Sequence, residues 1–590
     1  MPGKGASGAS SGGCFGGCFG GCFGTAPKPK TGPKYNSWND SKKERGQKTI
    51  ICVAGLASSA LTRRVQRDGC CVPGLGRDEV SYCSIDALVS KPKATLNSLR
   101  LKLVDGKLKD GTAVKMTASV DSTVRPVQGT AGIRTLNPGE VVPVSVWDGF
   151  IDDLEETFNC HAFNYDWRRW GDCVYAEELV GLLEKKILTS LEQDCHSGKK
   201  AAVVGHSMGA PLLLYCLGKL GKKWQQVHLE RVILVAPAHT GSPTMIPSFG
   251  HAPFLAQETS ILPSHFGEQV IGDIAATWAC MIGEMPTAVG GVAPYPKDHV
   301  FARTPQKEYK LSDMGAFLDD LAQQIPGRDT GPALWPGFQR IASSMKAPEV
   351  PTMIIYSSGI DTPCRFEYAS EELDTRARCA ETCPGDGTIT RDSILACAEA
   401  WRAAGHQIEL VEAPGAIDHK NLIADDFTTA VVERSLEGGA LTPVDVTVVG
   451  ASGLKNADLF GKSDPYCLVE LESSKKGKKI SKRKTKTVAN DLDPVWNSTF
   501  TFFAYSDGDC LVFTIFDEDI KGLTGDFLGR ACVSADQVRS GFDGELPLEM
   551  KNGAGLVQGS LRVKVSPPRS YEHPARGLGG YVKGAIRSLR

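Results

Sequence analysis

Five short apolar runs limit most strongly what this chain can fold into. They are Thr49–Ala54, Ala201–Val204, Arg231–Ala236, Thr352–Tyr356 and Ile408–Val411, the first two closed at once by Gly55 and Gly205. Each is too short for a helix and too continuously apolar for a strand with one wet face, so each reads as a strand buried on both sides. Leu179, Val180, Leu182, Leu183, Ile187 and Leu188 between them recur at helical spacing. Buried strands alternating with helices predict an α/β fold, a parallel sheet covered on both faces. Residues 57–145 and 243–345 interrupt the alternation, and insertions of that length read as caps over such a sheet. Both hold lipid-compatible stretches, Pro253-Phe254-Leu255 and Trp278–Ile282 in the second.

Beyond Gly439 the period becomes two. Val444–Val449, Tyr466–Leu471, Thr499–Phe503, Cys510–Phe516 and Leu561–Val565 alternate between Asp/Gly-rich turns, the pattern of a β-sandwich. With 590 residues the chain exceeds one hydrophobic core. The expected division is a tail over 1–45, an α/β domain over 46–436, a sandwich over 441–566 and a basic tail over 567–590. The N-terminal tail repeats Gly-Gly-Cys-Phe, alternating Cys14, Cys18 and Cys22 with Phe15, Phe19 and Phe23. It reads either as a palmitoylation segment or as a plain low-complexity tail. No apolar run approaches the ~18–20 residues of a spanning helix, and the N-terminus lacks the features of a secretory signal. The 19 cysteines are scattered, with none of the spacing of a zinc ribbon. Free thiols in a reducing cytosol are expected, with Cys70/Cys83 and Cys379/Cys383 the pairs close enough to bridge under oxidation.

Gly205-His206-Ser207-Met208-Gly209 fits G-x-S-x-G. The match alone is weak, because Gly8-Ala9-Ser10-Ser11-Gly12 fits it too. Only Ser207 lies between an apolar strand and an apolar helix, where a sharp elbow would expose its hydroxyl. A serine needs a base, and the base a carboxylate to orient it, in the chain order Ser, acid, His for this topology. His419 follows the last candidate strand, where the base loop belongs. His406 is its rival among 11 histidines but precedes that strand. Asp386, between two glycines, is the candidate acid, and Asp361 the rival. The oxyanion hole is expected at the main-chain N–H groups of Leu56 and Met208.

These residues resemble the lecithin:cholesterol acyltransferase family. The matching pieces are Gly55-Leu56-Ala57-Ser58-Ser59, Tyr165-Asp166-Trp167-Arg168, Gly205–Gly209, Ala236-Pro237 with Gly241-Ser242-Pro243, Gly385–Thr388 and His419–Leu422, in family order. The resemblance implies transfer of a fatty acyl group from a glycerophospholipid to Ser207, then to an alcohol such as diacylglycerol or a sterol, or to water, with Asp386 and His419 completing the triad. Ala54-Gly55 stands where the family typically has Pro-Gly, and Ala236-Pro237-Ala238-His239 replaces Pro-Trp-Gly. A catalytically silent adaptor is the rival from another class, and a complete triad argues against it.

The sandwich resembles C2 domains. Asp458 and Asp464 flank one of its loops, and Asp517, Asp519 and Asp526 belong to another. Five gathered carboxylates repel one another unless a hard cation such as Ca²⁺ lies between them. A basic run, Lys475, Lys476, Lys478, Lys479, Lys482, Arg483, Lys484 and Lys486, suits an anionic membrane surface, each such residue contributing ~1 kcal/mol near the bilayer. It lacks the interleaved aromatics of a nucleic-acid binder, so no nucleic acid is expected. The expectation is a cytoplasmic, peripheral membrane enzyme with a lipid substrate, calcium for docking and no cofactor for the chemistry.

Overall fold

A computed structural model describes residues 47–570 except 67–75, 81–91, 137–144, 195–198, 252–267, 439–441, 459–460, 474–477, 504, 519–524, 552 and 554. Cys14, Cys18, Cys22, Cys70, Cys83, Pro253–Leu255, Lys475, Lys476, Asp519 and most of the basic C-terminal tail lie outside the described residues.

The first domain is built on a six-stranded parallel sheet. In chain order its strands are β1 (Thr49–Val53), β2 (Asn159–Ala162), β3 (Ala201–His206), β4 (Leu229–Val235), β5 (Thr352–Tyr356) and, after a hairpin of β6 (Ile360–Glu367) and β7 (Arg378–Gly385), β8 (Ile408–Glu412). Their order across the sheet is β8-β5-β4-β3-β1-β2. Helices α1 (Asp148–Leu154), α2 (Cys173–Gln193), α3 (Gly209–His228), α4 (Arg391–Ala403) and α5 (Asp426–Glu437) are the principal helices outside the second insertion. β1 and β3 are buried along their whole length, as two-sided coverage requires. β2 departs from the apolar pattern. Its Asn159 and His161 are buried polar residues, and it becomes a strand by pairing in register with β1, Thr49 to Asn159 through Cys52 to Ala162.

The two insertions fold as local structure. The first carries a hairpin of Leu101–Lys107 with Ala113–Ser119 and a small sheet containing Leu61–Gln66. The second contains helices Met314–Gln324 and Thr330–Ser344, and its strands Val300–Arg303 and Glu308–Lys310 join β6 and β7 in a separate four-stranded sheet. Trp278–Ile282 offers no exposed apolar face. It is buried in the core, and Trp278 Nε1 donates to Leu99 O at 2.7 Å, tying one insertion to the other.

The second domain is an eight-stranded antiparallel assembly of β9 (Val444–Ser452), β10 (Pro465–Ser473), β11 (Lys478–Lys484), β12 (Val495–Phe502), β13 (Cys510–Asp517), β14 (Phe527–Val533), β15 (Phe542–Glu549) and β16 (Leu556–Val565). Alternate residues of β9 (Val444, Val446, Val448) point into its own core with Cys467, Val469, Phe513 and Val563. Phe503, just past β12, belongs instead to the core of the first domain, and the described residues of both domains lie in one compact unit. Among the described residues no helix is long and apolar enough to cross a membrane.

One expected cysteine pairing is corrected. Cys383 is bonded to Cys364, with Cα atoms 5.9 Å apart, while Cys379 is free and exposed. β6 and β7 pair antiparallel, Thr362 facing Cys383, which puts Cys364 on the neighbouring strand within bonding reach. Cys379, four residues earlier on the strand, lies opposite Phe366.

Candidate active site

The strand-to-helix turn at Ser207 is tight. Ser207 takes φ 55°, a left-handed conformation that costs a non-glycine residue energy and that recurs at functional turns. Small neighbours make it fit. A Cβ on Gly209 would lie 2.3 Å from Val53 O, so α3 begins in direct contact with the end of β1. A Cβ on Gly55 would lie 2.7 Å from Ser207 Cβ and 3.2 Å from its Oγ, so the loop after β1 runs across the nucleophile. That places Leu56 on the loop touching Ser207 and Met208 at the N-cap of α3, where the helix N-terminus adds positive potential. Tyr165 Oη donates to Ala54 O at 2.7 Å and braces this loop.

Asp386 follows β7, fully buried, and His419 follows β8. All three side chains meet at the C-terminal edge of the sheet. His419 Nε2 lies 2.8 Å from Ser207 Oγ, and His419 Nδ1 lies 2.8 Å from Asp386 Oδ2. The remaining oxygen, Oδ1, accepts the main-chain N–H groups of Thr388 at 3.0 Å and Ile389 at 2.6 Å. His419 N donates to Asp386 O at 2.9 Å, so the base loop is sewn to the acid loop through main chain as well. Of the rivals, Asp361 is an exposed residue of β6 paired with Pro384, and His406 lies before β8, at the opposite end of the sheet.

Further supporting residues carry no motif of their own. His206 fills a variable position of G-x-S-x-G, yet its Nε2 donates to His419 O at 3.1 Å. The carbonyl requires that nitrogen to carry the proton, an assignment made from the network. Burial, and then the neighbouring His419, push His206 down to about 3, so it stays neutral beside the base. Ser242 Oγ donates to Thr388 O at 2.6 Å and Ser393 Oγ to Gly241 O at 2.7 Å, pinning the acid loop to the segment after β4. Arg168 is fully buried. It clamps Asp166 through Nε at 2.9 Å and Nη2 at 2.7 Å, and Nη1 reaches the carbonyls of Ser98 and Leu99. Within the Tyr-Asp-Trp-Arg run, Asp166 and Arg168 thus fasten the first insertion, while Tyr165 braces the loop that touches Ser207.

In the second domain the turns after β9 and β13 meet. Asp464 N donates to Asp517 Oδ1 at 2.6 Å and Asp517 N to Asp526 O at 2.9 Å. Asp517 is buried, and its Oδ2 has no hydrogen-bond partner. A buried carboxylate oxygen without a partner is costly unless a cation completes it. Asp458 is half-buried and Asp526 exposed. Carboxylate oxygens are the hard donors that Ca²⁺ takes. Among the described residues the one compact group of potential ligands within 4.8 Å is Cys364, Glu381 and Cys383, whose sulfurs are consumed by the disulfide.

The basic run is divided. Lys482 and Lys486 are exposed. Lys484 Nζ bonds Glu518 Oε1 at 2.8 Å and lies 3.6 Å from the centre of the Tyr466 ring. Arg483 bonds Asp426 of α5 in the first domain, whose carboxylate also accepts Ser481 Oγ. A strand sends successive side chains to opposite faces, so Arg483 and the exposed Lys482 point apart.

Residues 97–327 match the family model Lecithin:cholesterol acyltransferase, and residues 443–549 match C2 domain. The first match contains Ser207 and ends before Asp386 and His419. The chain is 25% identical over 247 residues to Lysosomal phospholipase A and acyltransferase of Canis lupus familiaris, which covers 41% of this chain and 55% of that protein. It is 34% identical over 122 residues to Multiple C2 and transmembrane domain-containing protein 1 of Rattus norvegicus, covering 21% of this chain and 12% of that one. It therefore spans about half the length of the one relative and about an eighth of the other. The first C2 domain of plant Extended Synaptotagmin 1 aligns with a TM-score of 0.20 and 24% identity, over 23% of this chain and 98% of that structure. The chain carries an α/β-hydrolase domain of the lecithin:cholesterol acyltransferase family followed by a C2 domain.

Proposed function

We propose that this protein is a membrane-recruited lipid O-acyltransferase that works through an acyl-serine. The hydrogen-bonded line from Ser207 Oγ through His419 to Asp386 carries the reading. Ser207 Oγ attacks the ester carbonyl of a glycerophospholipid while His419 Nε2 takes its proton, and Asp386 holds the imidazole in the tautomer that can accept it. The tetrahedral oxyanion faces the N–H groups of Leu56 and Met208. His419 returns the proton to the departing lysophospholipid oxygen, leaving the acyl group on Ser207. An acceptor hydroxyl, deprotonated by His419 in its turn, then resolves the ester.

Water is the alternative acceptor, which would make the protein a phospholipase. The name of the canine relative joins both activities. Asp458, Asp464, Asp517, Asp519 and Asp526 would hold calcium, which when bound neutralises the C2 loops and lets anionic headgroups approach. Lys478, Lys479, Lys482 and Lys486 add attraction to such a surface.

The test uses phosphatidylcholine/phosphatidylserine vesicles with labelled acyl chains, diacylglycerol and a sterol, with calcium or chelator. Ser207-dependent label in triacylglycerol or steryl ester is the expected result. Label only in free fatty acid assigns a phospholipase. Vesicle binding without any product lost in Ser207→Ala refutes the enzyme reading.

A further inference from the structure

The contact between the two domains joins an apolar peg to an electrostatic latch. Phe503 of the C2 domain stacks edge-on against Phe427 of α5, with ring centroids 4.8 Å apart and both side chains buried. Arg434 of α5 donates to Ser506 Oγ at 2.7 Å. Around this peg lie opposite charges. Asp425 and Asp426 open α5, and both face Arg483 of β11, Asp425 at 3.8 Å. Carboxylates cluster on the hydrolase side. Asp153 of α1 is pushed up to about 7 by burial and by Asp426, Asp152, Glu156 and Glu433 around it.

Position makes the latch consequential. α5 starts seven residues after His419, and the intervening turn is tied to it by Thr428 Oγ1, which donates to Leu422 O at 2.6 Å. The basic strand is therefore held on the element that follows the catalytic base. A cation already paired with two carboxylates is withheld from a membrane, and a polyanionic headgroup that wins it unpairs them.

We propose that β11 is latched on the hydrolase by the pairing of Ser481 and Arg483 with Asp425 and Asp426, and that the clustered phosphates of phosphoinositides in a membrane compete for Arg483 and release the start of α5. This rests on the reading that β11 meets anionic lipid. The apolar peg at Phe503 then acts as the pivot, because lipid charge does not compete with it.

The test uses the full chain in chelator, so that the calcium loops do not contribute. Vesicles of phosphatidylcholine carry either phosphatidylinositol 4,5-bisphosphate or phosphatidylserine at matched charge. Asp426→Asn removes the nearer of the two carboxylates that hold Arg483, and its binding to the phosphoinositide vesicles is expected to tighten by up to about fivefold, the effect of one added basic residue at an anionic surface. In the wild type, amide exchange in β11 and the first turn of α5 is expected to quicken when those vesicles are added. The exchanged pair Asp426→Arg with Arg483→Asp keeps an ion pair. It is expected to fold and stay docked, to bind more weakly than wild type, and to show no exchange response. Unchanged affinity in Asp426→Asn, with loss of binding in Lys482→Gln/Lys486→Gln, overturns the latch and leaves the lipid reading standing. No phosphoinositide binding by wild type or Asp426→Asn overturns both.

Discussion

Replacing Asp386 with asparagine should disable the base through its tautomer while leaving the fold intact. Two main-chain donors, Thr388 N at 3.0 Å and Ile389 N at 2.6 Å, end on Oδ1. An asparagine must therefore place its carbonyl oxygen there, because its amide group would meet two N–H groups head-on. The NH₂ then occupies the Oδ2 position, 2.8 Å from His419 Nδ1. Two donors cannot face each other, so Nδ1 gives up its proton and Nε2 takes it. Nε2, 2.8 Å from Ser207 Oγ, then donates to the hydroxyl and can no longer deprotonate it. The expected loss is about 10⁴-fold in kcat, or about 5 kcal/mol of transition-state stabilisation. Labelling of Ser207 by a fluorophosphonate should slow in parallel, which gives an assay independent of the acyl acceptor. The melting temperature should stay near wild type, because both buried donors keep their acceptor. Asp386→Ala instead strands them, at ~1–3 kcal/mol of stability each. Labelling of Asp386→Asn within tenfold of wild type would refute the tautomer argument.

Arg168→Met leaves Asp166 as a buried charge without its partner and should cost ~3–5 kcal/mol in urea unfolding. Arg168→Lys should recover little of that, because an ammonium cannot reach Asp166 and the Ser98 and Leu99 carbonyls together. Asp517→Asn removes charge at the oxygen without a partner. Calcium-dependent sedimentation with phosphatidylserine vesicles should fall sharply, while fluorophosphonate labelling without membranes should be unchanged. Burial pushes His239 from 6.5 down to about 3, so between those values the unfolded chain binds the extra proton and stability falls as pH drops. His239→Phe should remove up to ~1.4 kcal/mol per pH unit from that acid slope, as read from denaturation curves at pH 4.5 and 7, and an unaltered slope would contradict it.

The legible parts of this protein are those whose cause lies within a few residues. A run of apolar residues closed by glycine becomes a buried strand wherever it sits. The elbow at Ser207 needs only its flanking glycines, the strand before it and the helix after it, and period-two alternation marks β9 and β13 as sandwich strands. The order of Ser207, Asp386 and His419 was legible because the loops after parallel strands such as β3 and β8 open on one edge, and the β6–β7 hairpin that follows β5 returns the acid to it. Tertiary structure decided whatever depends on a partner far along the chain. Asn159–Ala162 carries no strand signal and becomes β2 because β1 offers it an unpaired edge. Cys383 bonds Cys364 because hairpin register, invisible in cysteine spacing, brings those two sulfurs together. His206 becomes a support for the base only when β3 lies under the loop of His419. Arg483, one basic residue among many in sequence, is turned to Asp426 by strand alternation and by the docking of two separately encoded domains. Local period and turn chemistry act between neighbours, whereas charge pairing and register act between segments that only the completed fold brings within reach.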